Sequence, residues 1–152
     1  MDLDAIDLAL LDALQSDARL TAQDLGAKLN LSASQAGRRR QRLEQAGYIR
    51  AFTAKLDARK LGLDVQAFVQ VEMATHNPDD VKGFARLMRT LPQIVSVWTL
   101  TGATDYLLRV YCEDLSALNT LLHERLLPHP AVARVQSQIV MDQLKADAPL
   151  PT

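Results

Sequence analysis

The sequence predicts an α+β protein built in two parts, three short helices followed by a βαββαβ unit, and three observations carry that prediction. Apolar residues in the first 45 positions recur at helical spacing in three short runs. The third run holds four arginines within five positions, Arg38, Arg39, Arg40 and Arg42. From Val65 on, alternating apolar stretches and helical runs succeed one another as strand, helix, strand, strand, helix, strand. Three helices with a tight turn before the last make a helix-turn-helix. The second order is the ferredoxin-like split βαβ arrangement, a four-stranded antiparallel sheet with both helices on one face.

The first helix is expected over Leu3 to Gln15, with Leu3, Ile6, Leu10, Leu11 and Leu14 as its apolar stripe and the aspartates facing the other way. Thr21 caps a second helix with Asp24 three positions on, a capping box, and Leu25 and Leu29 mark its buried face. Asn30-Leu31-Ser32 is the turn. Ser32 suits the N-cap of the basic helix, and Gly47 stands where a helix ends in a left-handed residue. Phe52, Ala54 and Leu56 then alternate with Ala51, Thr53 and Lys55, which predicts a strand serving as wing or linking arm. Asp57 to Leu63 reads as a connector.

In the second half, Val65, Ala67, Val69, Val71 and Met73 alternate as a strand. Asn77 or Pro78 opens a helix with Val81, Phe84, Ala85, Met88 and Leu91 inward, and Pro92 stops it. Ile94 to Thr101 and Asp105 to Cys112 pair around the turn Gly102-Ala103-Thr104. Asp114 caps a helix expected to bury Leu115, Leu118, Leu121, Leu122 and Leu126, and Val132 to Met141 is the last strand. The sheet face away from the helices carries side chains such as Phe68 and needs a cover, which predicts self-association. The domain boundaries that follow are 1–49 for the helix-turn-helix, 50–63 for the linker strand and connector, 64–145 for the ferredoxin-like domain and 146–152 for a frayed tail.

The formal net charge of −1 conceals a split. Residues 32–60 carry eight basic groups against Glu44 and Asp57, a net of +6, while the segments on either side are acidic. Charge concentrated on one capped helix after a tight turn is suited to the phosphates of double-stranded DNA. On that helix the N-terminal part reaches base edges, which assigns Ser34, Gln35 and Arg38 to base reading; Arg can bridge guanine O6 and N7, and Gln can pair with adenine. Arg39, Arg42 and Arg50 are assigned to phosphates. Arg40 falls on the side of Ala36 and Leu43, where it would have to snorkel toward backbone.

A second candidate is the turn Gly102, Thr104 and Asp105. Glycine lets backbone N–H groups approach a ligand carboxylate, and an aspartate can pair with an ammonium group. The bland alternative is that Gly102 merely permits the hairpin and Asp105 caps it. His76, His123 and His129 lack metal-ligand spacing, and no nucleophile-base order accompanies Cys112, so neither a metal, a cofactor nor catalysis is expected. No apolar run of about 18 residues and no signal-peptide pattern occur, from which a cytoplasmic protein is expected.

Taken together, DLDAIDLALLDALQSDARLTAQDL, LSASQAGRRRQRLEQAGYIRAFTAKLD, TGATDYLLRV and IVMDQLK resemble, in order and spacing, the Lrp/AsnC family of feast/famine regulators over about Leu3 to Lys145. The resemblance implies a sequence-specific transcriptional regulator whose second half, an amino-acid-binding (RAM or ACT-like) module, forms dimers and often octamers. It extends the effector site to Ser137, where the family has a Thr-x-Thr pair that is here Val135 and Ser137. Thr104 stands where the family commonly has an aromatic residue, and Arg40 where it usually has an aliphatic one. Sirohaem decarboxylases, which resemble the same family, are the enzymatic alternative; they need histidines near the sheet pocket and can dispense with a basic helix. An assembly or sensor module without DNA binding is the third reading.

Overall fold

A computed structural model describes residues 2–75 and 77–151. The chain divides into two compact units, one formed by residues up to Lys55 together with the stretch from Leu144 on, the other by Leu56–Gln143.

The first unit holds α1 (Ala5–Ser16), α2 (Ala22–Leu29) and α3 (Ala33–Gln45). Each begins with a reciprocal capping box, from Asp4 to Asp7, Thr21 to Asp24 and Ser32 to Gln35, so two N–H groups at each helix start are satisfied by side chains. Leu10, Leu14, Leu25, Ala36 and Leu43 form the core, with Leu3, Leu20, Leu29, Leu31 and Ile49 packed around it. The turn between α2 and α3 is set by Asn30 in the left-handed region and by a close approach at Gly26. A Cβ on Gly26 would lie 2.7 Å from the carbonyl oxygen of Leu31, so only glycine lets α2 meet the turn at this distance. The end of α3 is a Schellman motif: Gly47 N–H donates to the Glu44 carbonyl and Tyr48 N–H to the Leu43 carbonyl.

Three expectations are corrected here. Asp7 does not face away from the core with the other aspartates of α1; it is 1% exposed. Leu3, Asp7, Leu10 and Leu14 run at 4-3-4 spacing, so Asp7 lies within the apolar stripe. The strand expected over 51–56 is absent among the described residues: the stretch is extended in pattern but pairs with no other strand, and Phe52 meets the Arg40 guanidinium, 4.6 Å from its ring centroid. The tail does not fray. Gln15 Nε2 donates to the Leu150 carbonyl at 3.1 Å and Gln15 Oε1 accepts from Leu150 N–H at 2.6 Å, so one side chain of α1 holds the tail backbone twice.

The second unit contains β1 (Val65–Met73), α4 (Pro78–Thr90), β2 (Ile94–Thr99), β3 (Tyr106–Cys112), α5 (Leu115–Thr120) and β4 (Val132–Ile139). The sheet is antiparallel with strand order β2-β3-β1-β4, the order of a ferredoxin-like domain. One face of β1 and β3, namely Ala67, Val69, Val71, Met73, Leu108, Val110 and Cys112, packs against Phe84 and Met88 of α4 and Leu118 of α5, so both helices cover the same side. The other face presents Phe68, Leu107 and Trp98, the last 43% exposed.

The helix after Asp114 departs from a regular α pattern. It continues as a π-helical stretch over Leu121–Leu126, closed by Leu127 N–H donating five residues back to the Leu122 carbonyl. The wider turn brings Leu121 and Leu126, five apart, onto the core side. Leu115, expected inside, is 59% exposed because it lies off the face that Leu118 and Leu121 share. Ala85 of α4 is likewise exposed, and Leu87 packs against the core in its stead.

Candidate nucleic-acid interface and sensing turn

The basic helix α3 distributes its arginines among different tasks. Arg39 Nη1 donates to Asp4 Oδ2 and to Asp7 Oδ1, both at 2.7 Å. Arg42 Nη2 donates to Asp7 Oδ2 at 2.6 Å. The two oxygens of the buried Asp7 carboxylate are thus each taken by a different guanidinium of α3, an arrangement that satisfies the charge on both sides. The side chains of Arg39 and Arg42 are 25% and 48% exposed. In the folded protein the two arginines assigned to phosphates both pair with Asp7, and two acids lie beside two of the positive charges that the sequence places on this helix.

Arg40 snorkels as its position requires. Its Nε donates to Glu44 one turn on at 2.8 Å, its Nη1 donates to the Leu20 carbonyl at 3.2 Å, and its plane lies over Phe52. Arg38 and Arg50 are exposed and carry no hydrogen bond or ion pair among the described residues. Gln35 is exposed but engaged, its Oε1 accepting from Ser32 N–H at 2.9 Å and from Ser32 Oγ at 3.0 Å. Bidentate pairing of Gln35 with adenine would need that oxygen, so the capping box competes with the base-reading role expected for it. Ser34, exposed, lies 3.1 Å from Ser32 through their hydroxyls. Leu31, Gln35, Arg38, Arg39 and Arg42 line a shallow concavity of about 300 Å³ on this surface.

The second site is the hairpin between β2 and β3. Leu100 N–H donates to the Asp105 carbonyl at 2.9 Å and closes the loop, within which Gly102 adopts φ 105°. Asp105 N–H donates to the Val71 carbonyl, and Asp105 Oδ2 accepts from Met73 N–H at 2.7 Å. One carboxylate oxygen is thereby committed to the end of β1, not to the hairpin turn itself, and Oδ1 is left for another donor. Tyr106, next in the chain, stacks at a tilt on Phe84 at 5.0 Å. Ser137 is not brought to this turn. The strand order puts β4 at the sheet edge opposite β2, and Ser137 pairs with Val69, roughly 14 Å from Asp105 by strand spacing.

Among the described residues no three His, Cys, Asp or Glu side chains gather as metal ligands; His76 lies outside the described residues. Cys112 is buried, which pushes its thiol above the ordinary range. No helix among the described residues is long and apolar enough to cross a membrane.

This combination, a capped basic helix after a tight turn and a separate split βαβ unit, defines a helix-turn-helix regulator carrying a ligand-binding domain. Comparison with known proteins agrees. Residues 66–150 match the model described as Lrp/AsnC ligand binding domain, and residues 3–50 match that of a winged helix-turn-helix DNA-binding domain. The Bkd operon transcriptional regulator of Pseudomonas aeruginosa is 36% identical over 140 residues, covering 92% of each chain. Transcriptional regulator AzlB of Bacillus subtilis is 32% identical over 149 residues, 98% of this chain and 95% of that one. A transcriptional regulator of Neisseria meningitidis, solved as a complex with L-Met, superposes with a TM-score of 0.94 at 35% identity, covering 99% of this chain and 97% of that one. The chain belongs to the Lrp/AsnC family. It is a DNA-binding transcriptional regulator.

Asp7 is the buried acid of this network that residue type left unnoticed, although its place in the Leu3–Leu14 stripe was the available signal. Its neighbour Asp4 has a testable signature. Hydrogen bonding from Asp7 N–H, and then from Arg39, holds the Asp4 carboxyl below its ordinary value of 3.8. A depressed folded-state value means that this stabilisation is complete above the unfolded value and disappears as the pH falls through the folded one. The helical unit is therefore expected to lose stability below about pH 4, and Asp4→Asn to flatten that loss, as read by urea unfolding followed by circular dichroism. Identical acid profiles for variant and wild type would remove Asp4 from the network.

Proposed function

We propose that this regulator binds DNA as a dimer, reads its operator chiefly through Arg38 and Ser34 of α3, and changes its assembly when an amino acid binds at the Gly102–Asp105 turn. The observation that carries the reading is the uncompensated, exposed Arg38 on a helix whose neighbouring arginines are tied to acids. An arginine free to approach bases in two hydrogen bonds discriminates guanine, whereas one facing backbone only adds affinity. Arg50, exposed beyond the end of α3, serves as the phosphate contact. Arg38→Ala is expected to cost about 1–3 kcal/mol on the preferred duplex and to relax sequence preference, while Arg50→Ala weakens all duplexes alike. Fluorescence anisotropy on selected and random DNA separates the two; wild-type behaviour of both variants would refute the assignment.

The dimer is assigned to the sheet face of Phe68, Leu107 and Trp98, because apolar side chains on an uncovered sheet favour a second copy. Octamers are a further step of the same assembly. Trp98→Glu is expected to shift the full chain toward monomer in sedimentation equilibrium, and a wild-type chain that sediments as a monomer at micromolar concentration would overturn the dimer.

The effector reading is supported by the ligand-binding domain match and by the structural neighbour solved with L-Met. An α-amino acid needs donors for its carboxylate and an acceptor for its ammonium group. The backbone N–H groups of the turn offer the first, and Asp105 Oδ1 the second, within four residues. Ser137 can join such a site only from another copy of the chain, since its own sheet holds it at the far edge. A thermal-shift screen of the amino acids identifies the ligand, and calorimetry then compares wild type with Asp105→Ala. Binding is expected to vanish in the variant with DNA affinity kept within about tenfold, or 1.4 kcal/mol; equal affinities would make Asp105 a turn residue only.

A further inference from the structure

We propose that Asp7 is a positioning residue that sets DNA specificity: its buried carboxylate occupies Arg39 and Arg42 as a phosphate would, so α3 meets DNA with Arg38 as its uncompensated guanidinium. The proposal rests on the reading that α3 is the DNA-contacting helix and goes beyond it by naming a residue that touches no DNA.

The argument is one of charge and geometry. Sequence-independent affinity comes from neutralising phosphates, and each lysine or arginine that does so releases counterions and steepens the salt dependence. Arg39 and Arg42 line the same shallow concavity as Arg38 and Gln35, on the surface expected to meet the backbone. Left alone, they would grip any duplex. Here, Asp7 Oδ1 and Oδ2 lie 2.7 and 2.6 Å from one guanidinium each, and Asp4 adds a second acceptor to Arg39. Asp7 is 1% exposed with the arginines in place, and without them its carboxylate keeps only the Asp4 N–H at 3.3 Å. A phosphate must then compete with an anion that loses both of its cations, which is the costly way to break such a pair. The exchange yields little net affinity, and the discrimination made by Arg38 is not drowned by a grip common to every sequence. The same bonds join the first turn of α1 to the middle of α3, which fixes the rotation at which Arg38 and Ser34 project.

Asp7→Asn keeps the shape and removes the charge. In the full-length protein it is expected to tighten binding to random-sequence duplex at least tenfold at low salt. The slope of log affinity against log salt should steepen by about 2 to 4 for a dimer, at about 0.9 per added phosphate contact. The ratio of selected to random affinity should fall. A random-duplex affinity and slope equal to wild type overturn the proposal while leaving DNA binding intact; a wild-type chain with no salt-dependent binding overturns both. Arg42→Ala tests the idea if the first variant does not fold. Its slope is expected to match wild type within about 0.5, because that arginine neutralises Asp7 and no phosphate, and a slope flatter by about 2 would show that Arg42 already holds DNA. A merely architectural role for Asp7 would change stability without moving the salt slope of Asp7→Asn.

Discussion

Asp7 accepts from Arg39 and Arg42 in the one place, among the described residues of the first unit, where a charge lies inside the apolar core. The rest of that unit is arranged to make this tolerable. Asp4 begins α1, caps it and shares Arg39, so the first turn of the helix is both the end of a capping box and the acidic half of an ion cluster. Leu10 and Leu14, on the same stripe one and two turns later, supply the burial that holds α1 against α3. Breaking such a network by removing one member leaves an uncompensated charge, so the helices are locked in register more firmly than Leu–Leu contacts alone would require. The same two oxygens tie the first turn of α1 to the middle of α3.

Arginine on a basic helix is therefore not a uniform resource. Arg39 and Arg42 face inward to acids, Arg40 lies along the helix to Glu44, the Leu20 carbonyl and the Phe52 ring, and Arg38 projects. Four arginines within five positions take up three roles because the helix turns each residue by about 100° from the last. The second unit obeys a similar economy. A π-helical stretch resets the phase of its last helix so that Leu126 returns to the core, and the edge position of β4 separates Ser137 from the turn at Gly102.

Much of this was legible in the sequence. Capping residues at Thr21 and Ser32 located two helices, because the side-chain hydrogen bonds they form are local. The succession of elements in the second unit followed from its alternation and from Pro92 and Gly102 as punctuation. What failed depended on partners distant in the chain. Asp7 was assigned outward because its type outweighed its spacing, and its arginines are more than 30 residues away. Phe52 to Leu56 alternate as a strand should, but alternation does not supply a neighbour with which to pair. Leu115 was placed inside with the other leucines, but in the regular first turn of α5 it lies off the face that Leu118 and Leu121 share. Gln35 was read as lying at the start of the basic helix, where it is, yet the same position also makes it the third residue of a capping box.

The tail held by Gln15 changes how the chain is partitioned. The first unit is built from both ends of the polypeptide, with Leu56–Gln143 inserted between them. Its closing contact is a loop closure across the whole second unit, whose entropic cost grows only slowly with the length spanned. The effective concentration of Leu150 beside α1 is consequently a property of the inserted domain. Whatever stiffens or re-packs that domain alters how often the tail is seated, even without touching it. For the same reason a label, fusion or proteolytic cut at the carboxyl end is a modification of the DNA-binding unit, although by residue number it belongs to the other one.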